Sequence, residues 1–289
     1  MGIGELMAAS SAIIAALAHI SIRQGMRTAS PLLAALIVNT VVSTGGLTVC
    51  FYQDSFSELS LKTVIWFVAM GIAGPGFGRI MRLIGINKVG LNPSVTISAI
   101  TPFWVTFIAI FILRENPTFW DILGTISIVS GVIILSVRFN STKKISDWFQ
   151  KGVIFPILAS IAYALAPVFA KLALNEQKIP MAGLGIGFLV GNIFLLLCSP
   201  ILKQNVSVRN RPDIGWILLS GIFNFCSSSL LINAIMISPV SIAIPLSRTA
   251  PIWLLIFSYL FLWKLEKITK QIVMATVLIV LGGIFITTL

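Results

Sequence analysis

The chain is a succession of apolar runs, each about 20 residues long, separated by short polar gaps. A helix of that length, rising ~1.5 Å per residue, covers a bilayer core of roughly 30 Å. Ten such spans are predicted, at about 6–22, 32–52, 61–78, 91–113, 119–138, 152–174, 181–202, 213–235, 239–263 and 268–288. Their apolar character is continuous, whereas barrel strands alternate and stay near ten residues, so the spans are read as helices. The second, third and eighth carry enough Gly, Ser, Thr and Asn to line an interior or pack tightly, because small residues let helices approach closely in lipid.

The two halves of the pattern repeat weakly and in order. A shift of 148 lays Ala16-Leu17-Ala18 and Arg23 over Ala164-Leu165-Ala166 and Lys171, and a shift of 149 lays Ser98, Pro102 and Trp104 over Ser247, Pro251 and Trp253. A shift of 151 lays Glu115, Thr118, Thr125 and Gly131 over Glu266, Thr269, Thr276 and Gly282. Five spans per repeat is an odd number, so the halves, 1–140 and 150–289, cross the membrane in opposite senses, as an inverted repeat with the seam near Asn140 to Lys151. The expected fold is an all-α polytopic membrane protein of ten helices in two inverted five-helix repeats.

Composition agrees with the pattern: 57% of the 289 residues are hydrophobic, 10% are charged, and the mean hydropathy is +1.01. No gap is long enough for a soluble domain. The net charge of +11 comes from Lys and Arg placed singly or in pairs near span ends, which is membrane-loop placement and excludes nucleic acid as a partner. Fifteen basic residues, among them Arg79 and Arg82, fall in gaps after odd-numbered spans and four in the others, so the positive-inside rule puts both termini outward. The first span has Glu5 and no basic residue ahead of it, and it is read as a retained helix, not a signal peptide. Cys50, Cys198 and Cys226 have no metal-binding spacing and are read as small buried hydrophobes; no metal or cofactor is expected.

Particular stretches then resemble a family. They are Ile22 to Pro31 after the first span, Gly76-Phe77-Gly78-Arg79, Gly85 to Gly90, Pro102, and Leu113-Arg114-Glu115; in the second half they are Ser238 to Ser241, Pro245 to Pro251, and Lys264-Leu265-Glu266. Over nearly its whole length the chain resembles the EamA-like members of the drug/metabolite transporter superfamily. The glycine customary before the acidic residue of each link is Arg114 in one repeat and Leu265 in the other. The resemblance implies a midplane cavity surrounded by the first four helices of each repeat, with the fifth and tenth outside it.

Arg248 stands out, because an arginine in an apolar span costs roughly 2.5 kcal/mol or more unless it meets water, a partner or a ligand. Pro245 and Pro251 flank it and remove two backbone donors, so the helix is expected to bend there, with Ser247 and Thr249 free to satisfy the released carbonyls or to face substrate. Arg248 lies too far from Ser238 or Lys264 to snorkel, and two readings stand: a fork for a carboxylate or phosphate, or a structurally paired cation. His19 is a candidate proton site or a neutral histidine bonded to a carbonyl. Gly74 and Pro75 lie in a glycine-rich stretch read as a hinge or as close packing, and Pro102, Pro245 and Pro251 complete the hinge candidates. Arg23, Asn39, Arg79, Ser98, Tyr163, Asn192, Asn233 and Ser247 are the further candidates to line the route; Ser229 and Asn233 share a helix face with Cys226 that is expected to point inward.

All nine carboxylates sit at or near span ends, which disfavours a cation pump and favours an anionic, zwitterionic or amphipathic metabolite. The expected protein is a secondary transporter of a small organic molecule, monomeric or homodimeric, in the plasma membrane of a prokaryote, and not an enzyme. A passive facilitator is the alternative; an intramembrane enzyme on a lipid-linked substrate ranks behind it, since a single histidine has no deep catalytic partner. No GxxxxGK[ST] motif occurs, so the energy would come from a gradient or an exchanged solute.

Overall fold

The computed structural model describes residues 2–27, 29–89, 94, 97–138, 151–202, 211–250, 252–253, 256–257 and 270–288. Within them the extended elements are all helices: α1 (Ile3–Gly25), α2 (Pro31–Tyr52), α3 (Leu61–Gly71), α4 (Arg79–Val89), α5 (Thr101–Ile108), α6 (Phe119–Arg138), α7 (Ile154–Glu176), α8 (Pro180–Leu202), α9 (Arg211–Ile237), α10 (Val240–Ser247) and α11 (Lys270–Thr288). π-helical turns at Ile72–Gly78 and Ala109–Leu113 join α3 to α4 and prolong α5. Six described helices are long and apolar enough to cross a membrane: Ile3–Gly25, Pro31–Tyr52, Leu61–Val89, Ile154–Glu176, Pro180–Pro200 and Ile214–Ile237. Thr101–Leu113, Phe119–Ile134 and Met274–Thr287 are shorter apolar helices. Pro251, most of the expected seam, the Lys264-Leu265-Glu266 link and the start of the fourth span lie outside the described residues.

The helix starts follow local chemistry. Ser30 Oγ accepts from the Leu33 amide at 3.3 Å, with Pro31 at the first helical position where no donor is needed. Ser60 repeats the motif, accepting from Thr63 at 3.2 Å. Thr118 and Asp121 cap each other: the Thr118 amide donates to Asp121 Oδ2 at 2.7 Å, and the Asp121 amide to Thr118 Oγ1 at 3.2 Å.

Small residues then set the packing. α2 lies on α8, where a methyl added at Gly46 would stand 2.5 Å from the Gly185 amide nitrogen and Ser43 Oγ donates to the Gly185 carbonyl at 2.8 Å. α6 lies on α11, where a methyl at Gly124 would stand 2.6 Å from the Gly282 carbonyl and Ser127 Oγ donates to the Leu278 carbonyl at 2.7 Å. α1 lies on α9, joined by Ser220 Oγ to the Ala18 carbonyl at 2.9 Å and Ser227 Oγ to the Ser11 carbonyl at 2.8 Å. In lipid, where apolar surface supplies no driving force between helices, close contact and such bonds hold the bundle. Because backbone cannot yield as a side chain can, Gly46→Ala is expected to cost about 1–3 kcal/mol, read as a lower melting temperature in detergent.

Two expectations are corrected here. The third span does not end at Gly78: the helix continues to Val89, so Arg79 and Arg82 lie inside it and leave the loop-charge count. On α9, Ser220 and Ser227 are the buried polar residues, while Cys226 is exposed; Cys198 is only half-buried, and of the three cysteines Cys50 alone is buried.

Candidate functional site

Helix α10 stops at Ser247, and Arg248 opens a turn with its amide directed to the carbonyls of Ile244 at 3.2 Å and Pro245 at 3.0 Å. The hydroxyls beside it satisfy the broken ladder: Ser247 Oγ donates to the Ile244 carbonyl at 2.7 Å and Thr249 Oγ1 to the Leu246 carbonyl at 2.8 Å. Ser247 is therefore engaged with its own helix, which leaves the Arg248 guanidinium as the group on offer. Its side chain keeps exposed surface and stands within electrostatic reach of Arg82 and Tyr163.

A second helix brings two more guanidiniums. Pro75 has no amide to donate, and the chain around it widens into the π turn, closed by the Arg79 amide on the Gly74 carbonyl five residues back. The extra residue turns everything after it by about 100° relative to an unbroken α-helix, and it does so immediately before Arg79 and Arg82, which share a face at i, i+3. Close packing holds this turn: a methyl at Gly74 would stand 2.7 Å from Ala166 Cβ, and one at Gly78 would stand 3.3 Å from the Tyr163 ring.

These elements converge. Arg79 lies beside Tyr163 and in the field of Arg82, and its Nη1 donates to the Ala35 carbonyl at 3.5 Å. Arg248 feels Arg82 and Tyr163, and His19, which also keeps exposed surface, feels Arg82 and Arg248. Four of the residues singled out from the sequence, Arg248, His19, Arg79 and Tyr163, thus share one region with Arg82. Arg82 was hidden by reading the glycine-rich stretch as a helix end; its spacing from Arg79 was the available signal.

The other candidates have these contacts. Arg23 is exposed near the end of α1 and makes no side-chain hydrogen bond among the described residues. Ser98 bonds to the Ser94 carbonyl at 2.7 Å and Asn233 to the Ser229 carbonyl at 2.8 Å, both within their own segments. Asn192 Nδ2 donates to Thr40 Oγ1 at 2.9 Å, joining α8 to α2. Asn39 is fully buried, and neither of its amide atoms has a partner among the described residues.

Described carboxylates sit at or beside helix ends, and one of them governs the start of α10. Glu115 accepts from the Val240 amide at 2.8 Å, the Ser241 amide at 2.9 Å and Ser241 Oγ at 2.6 Å. It is aimed there by Arg114, whose backbone is left-handed at φ 53 and ψ 35. This is the position where the resemblance would have a glycine, and glycine is the residue that adopts this conformation freely. Arg114→Gly is expected to raise stability by up to about 1 kcal/mol, seen as a higher melting temperature.

Taken together, the helices and their cationic interior define a multi-pass integral membrane protein. The chain belongs to the EamA-like transporter family, whose model matches residues 2–137 and again 150–288. It is 22% identical over 207 residues to a protein named "Uncharacterized transporter" from Helicobacter pylori strain 26695, covering 72% of this chain and 66% of that one, just under two-thirds of its length. It is 22% identical over 150 residues to the phosphoenolpyruvate/phosphate translocator 3, chloroplastic, of Oryza sativa subsp. japonica, covering 52% of this chain and 36% of that one. A solved crystal structure shares the fold with a TM-score of 0.80 at 13% identity, over 98% of this chain and 96% of that chain.

Proposed function

We propose that this protein is a secondary transporter that moves a small organic anion by alternating access, and that its ten spans form two inverted five-helix repeats, 1–140 and 150–289. The observation that carries the reading is the group Arg79, Arg82 and Arg248, gathered with His19 and Tyr163 and without a carboxylate beside it among the described residues. Two like charges about 8 Å apart repel by roughly 2 kcal/mol at an effective dielectric of 20, and each cation is separately costly to desolvate. A ligand carrying two negative charges relieves both costs, and planar guanidiniums suit carboxylate and phosphate oxygens. The named cargo of the rice relative, phosphoenolpyruvate and phosphate, is of this chemical kind.

Helix pairing supports the repeat. The sequence shifts lay α1 over α7, α2 over α8 and α3 over α9, so the α1–α9 contact is the counterpart of the α3–α7 contact, and the α2–α8 and α6–α11 contacts are their own counterparts. Breaks in the ladder at Pro75 and at Pro245 supply points about which helix halves can move.

The test is thermal stability of the purified protein at fixed ionic strength with inorganic phosphate, phosphoenolpyruvate, succinate, lactate, a neutral sugar and a quaternary amine. Divalent anions are expected to raise the melting temperature, since a ligand at about 100 times its Kd stabilises by roughly 2.7 kcal/mol. A rise with the amine or the sugar alone overturns the reading. For whichever anion binds, accumulation above the external concentration in proteoliposomes separates a coupled transporter from a facilitator.

A further inference from the structure

Two charged side chains bracket the turn between α9 and α10, and neither touches the arginine group. Glu115, at the end of the α5 segment, takes three hydrogen bonds at the first turn of α10. Lys171, near the end of α7, gives three at the last turn of α9: its Nζ donates to the carbonyls of Ile235 at 2.7 Å, Ser238 at 3.0 Å and Met236 at 3.4 Å. The carboxylate thus sits on the positive end of one helix and the ammonium on the negative end of the next, each supplying partners for backbone groups that helix termini leave unsatisfied. Glu115 and Lys171 also attract each other electrostatically. Pro239 caps α10 with no side-chain oxygen of its own, so the cap has to come from another helix.

The bonds tie together four helix ends on the side of the membrane where α1 begins: those of α5, α7, α9 and α10. Gly4 of α1 packs against Ser238 and Ile237 on the same turn. Two residues before Lys171 on α7, Phe169 stacks on Trp66 with centroids 5.8 Å apart and planes inclined by 24°. Arg23, the counterpart of Lys171 in the repeat, makes no such bonds among the described residues, and Glu266, the counterpart of Glu115, lies outside them. The strained Arg114 backbone that aims Glu115 belongs to the same device.

We infer that Glu115 and Lys171 are a latch: reciprocal caps on α10 and α9 that hold the N-terminal side of the bundle shut and release when that side opens. This rests on the alternating-access reading. The helix carrying Arg248 at its end begins at Glu115, so opening and the position of Arg248 are mechanically joined.

The experiment reads opening without a substrate. In a chain with Cys50, Cys198 and Cys226 replaced by serine or alanine, Ile108→Cys places a single thiol seven residues inward of Glu115, too deep for a frayed helix end to expose. A charged, membrane-impermeant maleimide is applied from either side of reconstituted vesicles. Glu115→Gln and Lys171→Met are each expected to raise the labelling rate from the N-terminal side about tenfold, with the rate from the other side unchanged or lower. Ser241→Ala, which deletes one bond and spares the fold, is expected to raise it about threefold. Exchanging the charges, Glu115→Lys with Lys171→Glu, is expected to leave labelling fast, because each group is read by the polarity of its helix end and not by its partner. Unchanged labelling in Ser241→Ala and the two single variants, equal increases from both sides, or restoration by the charge exchange overturns the latch. Normal transport by a folded Arg248→Ala variant would instead overturn the reading of the anion site and leave these rates untouched.

Discussion

Arg248→Ala is expected to abolish both the anion-induced rise in melting temperature and uptake into proteoliposomes, with affinity falling at least about 100-fold, or roughly 2.7 kcal/mol. Several kilocalories are at stake because hydrogen bonds to charged groups are each worth about 1.5–3 kcal/mol. Arg248→Lys is expected to recover only part of the loss, since an ammonium offers no planar fork to a carboxylate or phosphate. The unliganded variant should melt no lower than the parent, because a cation with a like neighbour in Arg82 has been removed. Normal uptake by a folded Arg248→Ala protein would remove the anion site from the account.

Arg82→Glu carries the second large effect, and its two readouts move in opposite directions. Arg82 stands in the field of His19, Arg79 and Arg248, so a carboxylate there gives the two remaining arginines a counter-ion. The apo protein should become more stable by about 1–3 kcal/mol as repulsion turns into attraction. Anion binding should vanish, because the site is already neutralised. A variant merely damaged in its packing would lose both. Melting curves with and without inorganic phosphate distinguish the two cases.

Part of this site was legible in the chain. Arg248 announced itself as a cation between two prolines; Ser247 and Thr249 bond carbonyls of their own turn, Ile244 and Leu246, and not the ones a proline four residues on would free. His19, Arg79 and Tyr163 were expected to line a route; each stands within electrostatic reach of Arg79, Arg82 or Arg248. Arg82 was not, because four glycines and a proline read as a helix end when the helix in fact widens into a π turn and continues. Asn192, Asn233 and Ser98 were expected to face the route, but hydrogen bonds engage them with helices instead: a polar side chain in lipid takes whatever carbonyl or hydroxyl lies closest, and composition does not say which. Glu115 and Lys171 were visible as residues near span ends and as members of the repeat. Nothing in the chain said that they would meet the two ends of one turn, over 60 residues from Lys171 and over 120 from Glu115.

By itself, the sequence determined the solvent and the elements. Apolar runs of this length have to be helices in a membrane because no water is present to satisfy an open backbone, and prolines and capping residues mark where those helices break and begin. Only the tertiary structure decided which helix faces meet. That choice depends on shape at the scale of a methyl group, as between Gly46 and Gly185 or Gly124 and Gly282, and on the 100° turn that one extra residue adds before Arg79. The packing of helix faces, which no single segment carries, joins with that local turn to gather the three arginines.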